Sequence, residues 1–229
     1  NVAAERVDEV IECEPTVVDP ACPRDAELSA SACGEGATIE FDDVTFSYKD
    51  ASAPALEHIT FRADPGKTTA IIGATGSGKS TIAKLMMRFY DVTEGSVRID
   101  GIDVRELSQH ALRAQMGYVP QKAFLFSGTV ESNVAYSDGE MDASRVERAL
   151  DIAQASDFVG EMEEGASSPI SQGGTNVSGG QRQRLAIARA LAAPARAYIF
   201  DDSFSALDYK TDAALRAELS EKLSGATVI

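Results

Sequence analysis

The sequence has no long hydrophobic run. Its apolar stretches, such as 70–72 and 197–200, fall far short of the ~20 residues that a bilayer-spanning helix needs. No basic segment followed by an apolar one opens the chain, so no secretory signal is visible. Basic residues are scarce: 21 Lys and Arg face 36 Asp and Glu, a formal net charge of −15. A duplex binder needs a basic stripe to displace condensed counterions, so no nucleic-acid partner is expected. The acidity reads as a solvated surface. It does not forbid phosphate binding, because backbone amides and one or two lysines set the local field. Cysteine is sparse too. Cys13, Cys22 and Cys33 follow no CxxC spacing and have no histidine nearby in sequence, which argues against a metal set. Three thiols without a signal peptide fit a reducing compartment. His58 and His110 stand alone and read as ordinary surface or packing residues. There is no internal repeat and no low-complexity tract.

What is present suffices for one good-sized domain, or one domain with a tail: 229 residues, 44% of them apolar. Residues 1–36 differ from the rest, with nine acidic and two basic residues and three prolines. A short helix over 2–12 and then a mobile linker over 13–36 are expected. From Thr38 the pattern changes. Ile39 and Phe41 alternate with polar residues, Asp42-Asp43 shifts the phase, and Val44, Phe46 and Tyr48 alternate again. This predicts two short strands or one bulged strand. A turn at Asp64-Pro65-Gly66 leads into a buried strand over 67–72. Helical spacing follows over 80–90, then strands over 95–100 and 116–119. Helices are expected over 142–155 and 156–164, and a Gly- and Ser-rich loop over 165–177. A helix over 178–192, a strand over 197–200, a helix over 209–223 and the start of a strand at Ala226 complete the pattern. Strands alternating with helices predict an α/β fold with a largely parallel sheet.

Gly73-Ala74-Thr75-Gly76-Ser77-Gly78-Lys79-Ser80 satisfies G-x-x-x-x-G-K-[ST] in full. The glycines allow positive φ, so successive N–H groups can wrap around the β- and γ-phosphates of a nucleotide. Lys79 supplies a mobile charge to the same oxygens, and the Ser80 hydroxyl is a hard ligand suited to Mg²⁺. The helix that follows points its positive end at the phosphates. Thr81 completes the expected ATP-binding set. An accidental glycine-rich turn would not sit between a strand and a helix. Alone, the motif says only that a nucleotide is bound.

A second anion site is expected at Asn176-Val177-Ser178-Gly179-Gly180-Gln181. Ser178 is a plausible N-cap, and two glycines leave the amides of the helix start uncovered. Two phosphate cradles about a hundred residues apart are explained economically by a head-to-tail dimer, in which the second closes over the γ-phosphate held by another subunit. NVSGGQ followed by RQRLAIARAL resembles the signature motif and helix of the ABC transporter ATPases, and the resemblance extends across residues 38–229. It implies a P-loop NTPase core with a mostly parallel sheet, an N-terminal antiparallel β subdomain, and a small helical subdomain over about 122–180. Tyr48 resembles the aromatic residue that stacks on adenine. Gln121, in YVPQ, resembles the Q-loop glutamine that meets Mg²⁺ or the attacking water. AYIFD, ending at Asp201, resembles the Walker B strand, so Ser80, Gln121 and Asp201 form the implied metal set. A carboxylate ending an apolar strand is also hard to explain without a cation. Ser205-Ala206-Leu207-Asp208 resembles the D-loop at the dimer interface. Arg182, Arg184 and Arg189 read as interface and solvent residues.

NVAAERVDEVIECEP and TVESNVAY are similar to exporter segments, so the resemblance implies an exporter half-transporter of the multidrug or lipid type. Residues 1–36 would then be a linker from a preceding transmembrane domain and 37–229 the nucleotide-binding domain, at the cytoplasmic face of the plasma membrane. The implied switch histidine lies beyond the strand at Ala226, so the sequence is expected to stop short of it. The stretch between Gln121 and Ser178 is too short for the coiled coil of DNA-associated members. Ala123 to Phe126 offers either an apolar patch for a membrane-domain helix or simple core packing of Phe124 and Leu125.

One position departs from the pattern. The family's general base after the Walker B aspartate is a glutamate; here it is Asp202. Its carboxylate is pulled back by about one C–C bond, ~1.5 Å, and misplacement of ~1 Å costs on the order of 10²-fold. Two readings remain open. In one, the chain is an ATPase with Asp202, Gln121 and Lys79 in catalysis and slow hydrolysis at its own site. In the other, it is a non-hydrolytic ATP clamp, the regulatory half paired with a different subunit.

Overall fold

The computed structural model describes residues 6–7, 11–31, 36–136 and 142–229. Cys33 and most of the helix expected over 2–12 lie outside them. Cys13 and Cys22 are free and exposed.

The linker expected over 13–36 contains an element, α1 (Asp25–Ser31). Its Leu28 is 1% exposed and joins the core. One leucine in a polar stretch carries no periodicity, which is why this helix escaped the sequence reading.

An antiparallel sheet follows, in the order β2-β1-β3-β4. Its strands are β1 (Ile39–Phe46), β2 (Leu56–Ala63), β3 (Glu94–Ile99) and β4 (Ile102–Asp103). Strand β1 is a single bulged strand. Its register against β2 shifts between Phe41 and Val44, and Asp43 takes φ 50°. The bulge changes phase, so Ile39, Phe41, Val44 and Phe46 all face the core. Gly95 accommodates it: a Cβ there would lie 2.4 Å from the Asp43 carbonyl oxygen. Phe41 stacks on its cross-strand partner Phe61 at 4.6 Å. The sequence reading assigned no strand to β2, because His58, at φ 51°, breaks the alternation. Leu56 is in one phase, and Ile59, Phe61 and Ala63 are in the other.

The second sheet is parallel, with β5 (Met116–Val119), β8 (Ala197–Phe200) and β9 (Thr227–Val228) in the order β5-β8-β9. The buried strand expected over 67–72 is not there. Only Thr68 forms a bridge, to Val228, and Ile72 is 91% exposed. The backbone bonds of this segment run to β9: Thr69 N–H donates to Val228 O at 2.8 Å, and Val228 N–H donates to Lys67 O at 3.0 Å. Apolar side chains alone do not bury a segment that pairs along one edge.

Among the helices, α2 (Lys79–Met86) is shorter than the 80–90 expected. Arg88 turns at φ 48°, which carries Phe89 and Tyr90 to the surface. α3 (Gln109–Ala114) is capped by Ser108, and α4 (Val130–Val134) opens on a Thr129–Ser132 capping box beside a short ribbon of β6 (Gly128–Thr129) and β7 (Pro169–Ile170). α5 (Ala143–Ile152) and α6 (Ser156–Gly160) are also shorter than expected. α7 (Gly179–Ala192) and α8 (Tyr209–Lys222) lie where the periodicity puts them. The loop between α6 and α7 carries β7 and two 3₁₀ turns. Buried apolar residues form two clusters: one around the antiparallel sheet and α2, the other around α4 to α8 with Val119 and Leu125. Strands β5 and β8 lie between them, contributing Met116, Ala197 and Ile199 to the first and Val119 to the second.

Candidate functional site

Residues 73–78 form a loop entering α2, exposed over 73–77, with Ser77 N–H donating to Ala74 O at 3.2 Å. Gly76 and Gly78 have φ 82° and 87°. Gly78 is also sterically required, since a Cβ there would meet Leu56 Cδ2 at 2.6 Å and Ala55 O at 2.8 Å. It is the N-cap of α2 and offers no side-chain cap. The first amides of the helix are therefore left to point at the loop's concavity. Lys79 Nζ folds back to donate to the carbonyls of Gly73 (2.8 Å) and Ala74 (2.9 Å), which spans the loop with its charge.

Parallel pairing of β5 and β8 brings in the second half. Val119 lies opposite Phe200, and Asp201 N–H donates to Val119 O at 3.0 Å. The residues just past both strand ends are thus neighbours. Gln121 Nε2 donates to Asp202 Oδ2 at 3.2 Å, and Ser80 Oγ donates to Asp201 Oδ1 at 2.9 Å across 121 positions of sequence. Asp201 is half-buried rather than fully buried, with the Ser80 hydroxyl as its partner. Its charge is felt nearby: burial, and then the negative Asp201, push the Tyr118 phenol up.

A hydroxyl, a carboxylate and an amide oxygen are hard donors that fit Mg²⁺. Among the described residues no cluster of three or more His, Cys, Asp or Glu could hold a metal. A cation at Ser80 and Asp201 would take its other ligands from phosphate and water, the usual habit of Mg²⁺.

Tyr48 OH and Thr81 Oγ1 are hydrogen-bonded at 3.0 Å. The Tyr48 ring packs edge-on against Phe46 and Tyr90, with Lys84 Nζ 5.8 Å from its centroid. A half-exposed aromatic face beside the phosphate loop is thereby held in place.

Ser178 Oγ accepts from Gln181 N–H at 3.2 Å, and Gln181 Oε1 accepts from Ser178 N–H at 2.9 Å. This reciprocal cap leaves the remaining first-turn amides of α7 free. A Cβ on Gly180 would be 3.3 Å from Ala206 O, so the helix start abuts the segment from Ser205 to Asp208. Asp208 caps α8: Oδ1 accepts from Lys210 and Thr211 N–H, and Oδ2 from the Thr211 hydroxyl at 2.7 Å. Those bonds, the Thr211 hydroxyl first, hold its carboxyl below the usual range. Among the described residues no hydrogen bond or ion pair joins 73–81 to 176–181.

A cavity of about 540 Å³ also touches Lys79, Asp201 and Asp202. Ile71, Met86, Phe204, Leu219 and Val228 line it, whereas Gly73, Gly76 and Gly78 do not.

Arg189 is not the solvent residue expected. Its Nε and Nη2 donate to Asn133 O (2.8 Å) and Oδ1 (2.7 Å), and its Nη1 donates to Phe124 O (2.9 Å). Arg184 likewise turns inward, donating to Gln154 O with its guanidinium 4.6 Å from the Phe158 ring centroid. Asn133, 1% exposed, also holds the backbone of Phe126 at both N–H and C=O. The sequence reading missed Asn133; a lone amide inside TVESNVAY was the available signal. Leu125 is fully buried, while Phe124 and Phe126 are 46% and 38% exposed. Core packing therefore holds for Leu125 and not for Phe124.

Comparison with known proteins agrees with this geometry. The family profile described as "ABC transporter" matches residues 56–205. The chain is 44% identical over its whole length to an uncharacterized ABC transporter ATP-binding protein of Mycobacterium tuberculosis, spanning 39% of that relative. Over 83% of its length it is 44% identical to the ATP-dependent lipid A-core flippase of Vibrio cholerae, spanning 33% of it. Its fold superposes on a bacterial Atm1-family ABC exporter with ATP bound, with TM-score 0.89 and 33% identity, covering 100% of this chain and 39% of that one.

Proposed function

The chain belongs to the ABC transporter family as an ATP-binding domain, and on that premise we propose that it binds Mg-ATP at 73–80 and closes head-to-tail on a second such domain. It would work from the cytoplasmic face of the plasma membrane and couple ATP use to export by a membrane domain of the same polypeptide. No described helix is long and apolar enough to cross a membrane, so transport itself would belong to that other domain. The observation that carries the reading is the Ser80–Asp201 bond at 2.9 Å. It joins phosphate loop and carboxylate, 121 positions apart in sequence, at one point.

The amides of 74–80 and the Lys79 ammonium would bind the β- and γ-phosphates and stabilise charge as the γ-phosphoryl leaves. To do so, Lys79 exchanges the carbonyls of Gly73 and Ala74 for phosphate oxygens. Ser80, Asp201 and Gln121 would hold Mg²⁺, which when bound neutralises phosphate charge. Tyr48 would stack on the adenine. Gln121 would orient the attacking water, and Asp202 would accept its proton. Ser178, Gly179 and Gly180 would face the nucleotide of the other subunit, beside Ala206 and Leu207. Phe124, Phe126 and Tyr136, three exposed rings with Phe126 packed against each of the other two, would receive a helix of the membrane domain.

One observation favours slow hydrolysis at this chain's own site, and with it the regulatory half of a heterodimer. The short Asp202 side chain already engages the Gln121 amide.

Lys79→Ala tests binding. Saturating Mg-ATP at about 100 times Kd stabilises a protein by about 2.7 kcal/mol, or several degrees in Tm for a domain of this size. The variant is expected to show no nucleotide-dependent shift. A retained shift would mean that the phosphate loop is not where ATP binds.

A further inference from the structure

The segment before the antiparallel sheet is bound to the site's scaffold in a way that none of its motifs explains. Arg88, just past the end of α2, is 3% exposed. Its Nη2 donates to Val18 O at 3.0 Å, its Nη1 to Leu107 O at 2.9 Å, and its Nε to Asp91 at 2.9 Å. One desolvated guanidinium therefore ties three segments together. Asp19 Oδ1 accepts from both the N–H (2.9 Å) and the Nε2 (3.1 Å) of Gln109. Asp25 accepts from the N–H (2.9 Å) and the hydroxyl (2.7 Å) of Ser108. Arg24 N–H donates to Glu106 O at 2.9 Å, and its guanidinium pairs with Glu106 at 2.6 Å. Leu28 is buried in the core behind them.

These contacts converge on the start of α3, whose cap is Ser108. The other end of α3 is fixed to the end of α2. Arg113 donates to Met87 O at 3.1 Å and to Arg88 O at 3.0 Å. From α3 the chain passes through Gln115, whose carbonyl accepts from Arg196 and Ala197 N–H, into β5 and on to Gln121.

We propose that residues 18–28 are a clasp that sets the position of the α3–β5 unit and, through it, of Gln121. Asp19 and Asp25 are then positioning residues. Any force on the segment ahead of the domain reaches the site by this route, as well as through the exposed rings near Tyr136. The consequence for ATP rests on reading Gln121 as the glutamine that meets the γ-phosphate and its metal; the mechanical link does not.

The test is backbone hydrogen exchange on the nucleotide-free 229-residue chain, comparing it with an Asp19→Ala/Asp25→Ala variant. Amides of 104–112 and of 116–122 are expected to exchange on the order of tenfold faster, while β1 keeps its protection. Asp19→Asn keeps the single oxygen that takes both Gln109 bonds, whereas Asp25→Asn keeps one of the two oxygens that accept from Ser108, so the double Asn variant restores the slow rates in part and Asp19→Asn alone exchanges at the wild-type rate. Binding of Mg-ATP weakens in the alanine variant, while binding of ATP without the metal does not. Faster exchange confined to 18–31, with 116–122 at the wild-type rate, overturns the clasp. If β1 also loses protection, the comparison passes to Asp19→Ala alone. If no protein in the series binds ATP, the reading of the site fails and the exchange result still decides the clasp.

Discussion

Asp202 occupies an uncommon backbone state, φ 49°, which aspartate tolerates better than most residues. Its carboxylate reaches the Gln121 amide at 3.2 Å, and its short side chain limits how far it extends toward a nucleotide. A glutamate there extends by one methylene, at a modest backbone cost. A well-placed general base contributes ~10²–10⁴. Asp202→Glu in the intact transporter is expected to raise ATP turnover at this site at least roughly tenfold, measured as phosphate release. Unchanged turnover would show that side-chain length at 202 is not what limits hydrolysis. The turn at Gly76 and Gly78 and the helix start after it were legible in sequence because the motif is local: eight consecutive residues supply glycines, lysine and hydroxyl. The Gln121–Asp202 contact was not, because 81 positions separate its members and only the pairing of β5 with β8 joins them.

At the scale of elements, helix α7 carries two jobs on two ends. Its N-terminus offers free amides beyond a reciprocal Ser178–Gln181 cap, and near its other end it buries Arg189 against carbonyls. Among the described residues no carboxylate pairs with that guanidinium, and desolvation lowers its proton affinity. Neutral acceptors and the rings of Phe126 and Tyr136, 5.3 and 5.6 Å away, take its charge. Arg189→Leu would leave the carbonyls of Phe124 and Asn133 without their donor. The expected loss is about 1–3 kcal/mol in urea unfolding, with faster exchange at 124–129. A loss below about 0.5 kcal/mol, the scale of an ordinary surface change, would return Arg189 to the solvent role its sequence suggested. Helix α7 itself was legible, since its cap and stripe are periodic. Strand β2 was hidden by the kink at His58, and 67–72 was mistaken for a buried strand. Apolar composition records what a segment prefers, whereas burial depends on which neighbours pair with it.

At the scale of the whole molecule, the two phosphate cradles start helices that belong to different hydrophobic clusters, α2 in one and α7 in the other. No described polar contact links the two helix starts. The proposed head-to-tail dimer would make use of both, and it would make the consequences of a change at α7 asymmetric. Gly179 is the place to test this. A Cβ there meets nothing within 4 Å in its own chain, and aspartate is favoured in the first turn of a helix. Gly179→Asp should therefore leave this chain's stability and its own Mg-ATP affinity within about twofold of wild type. In the assembled transporter the new carboxylate would face the γ-phosphate of the opposite nucleotide. Like charges at that distance are strongly unfavourable once water is excluded, so turnover at the opposite site should fall by on the order of 10²-fold or more. If the variant instead loses ATP from its own phosphate loop while turnover opposite is intact, the second cradle serves its own chain and the head-to-tail arrangement is wrong.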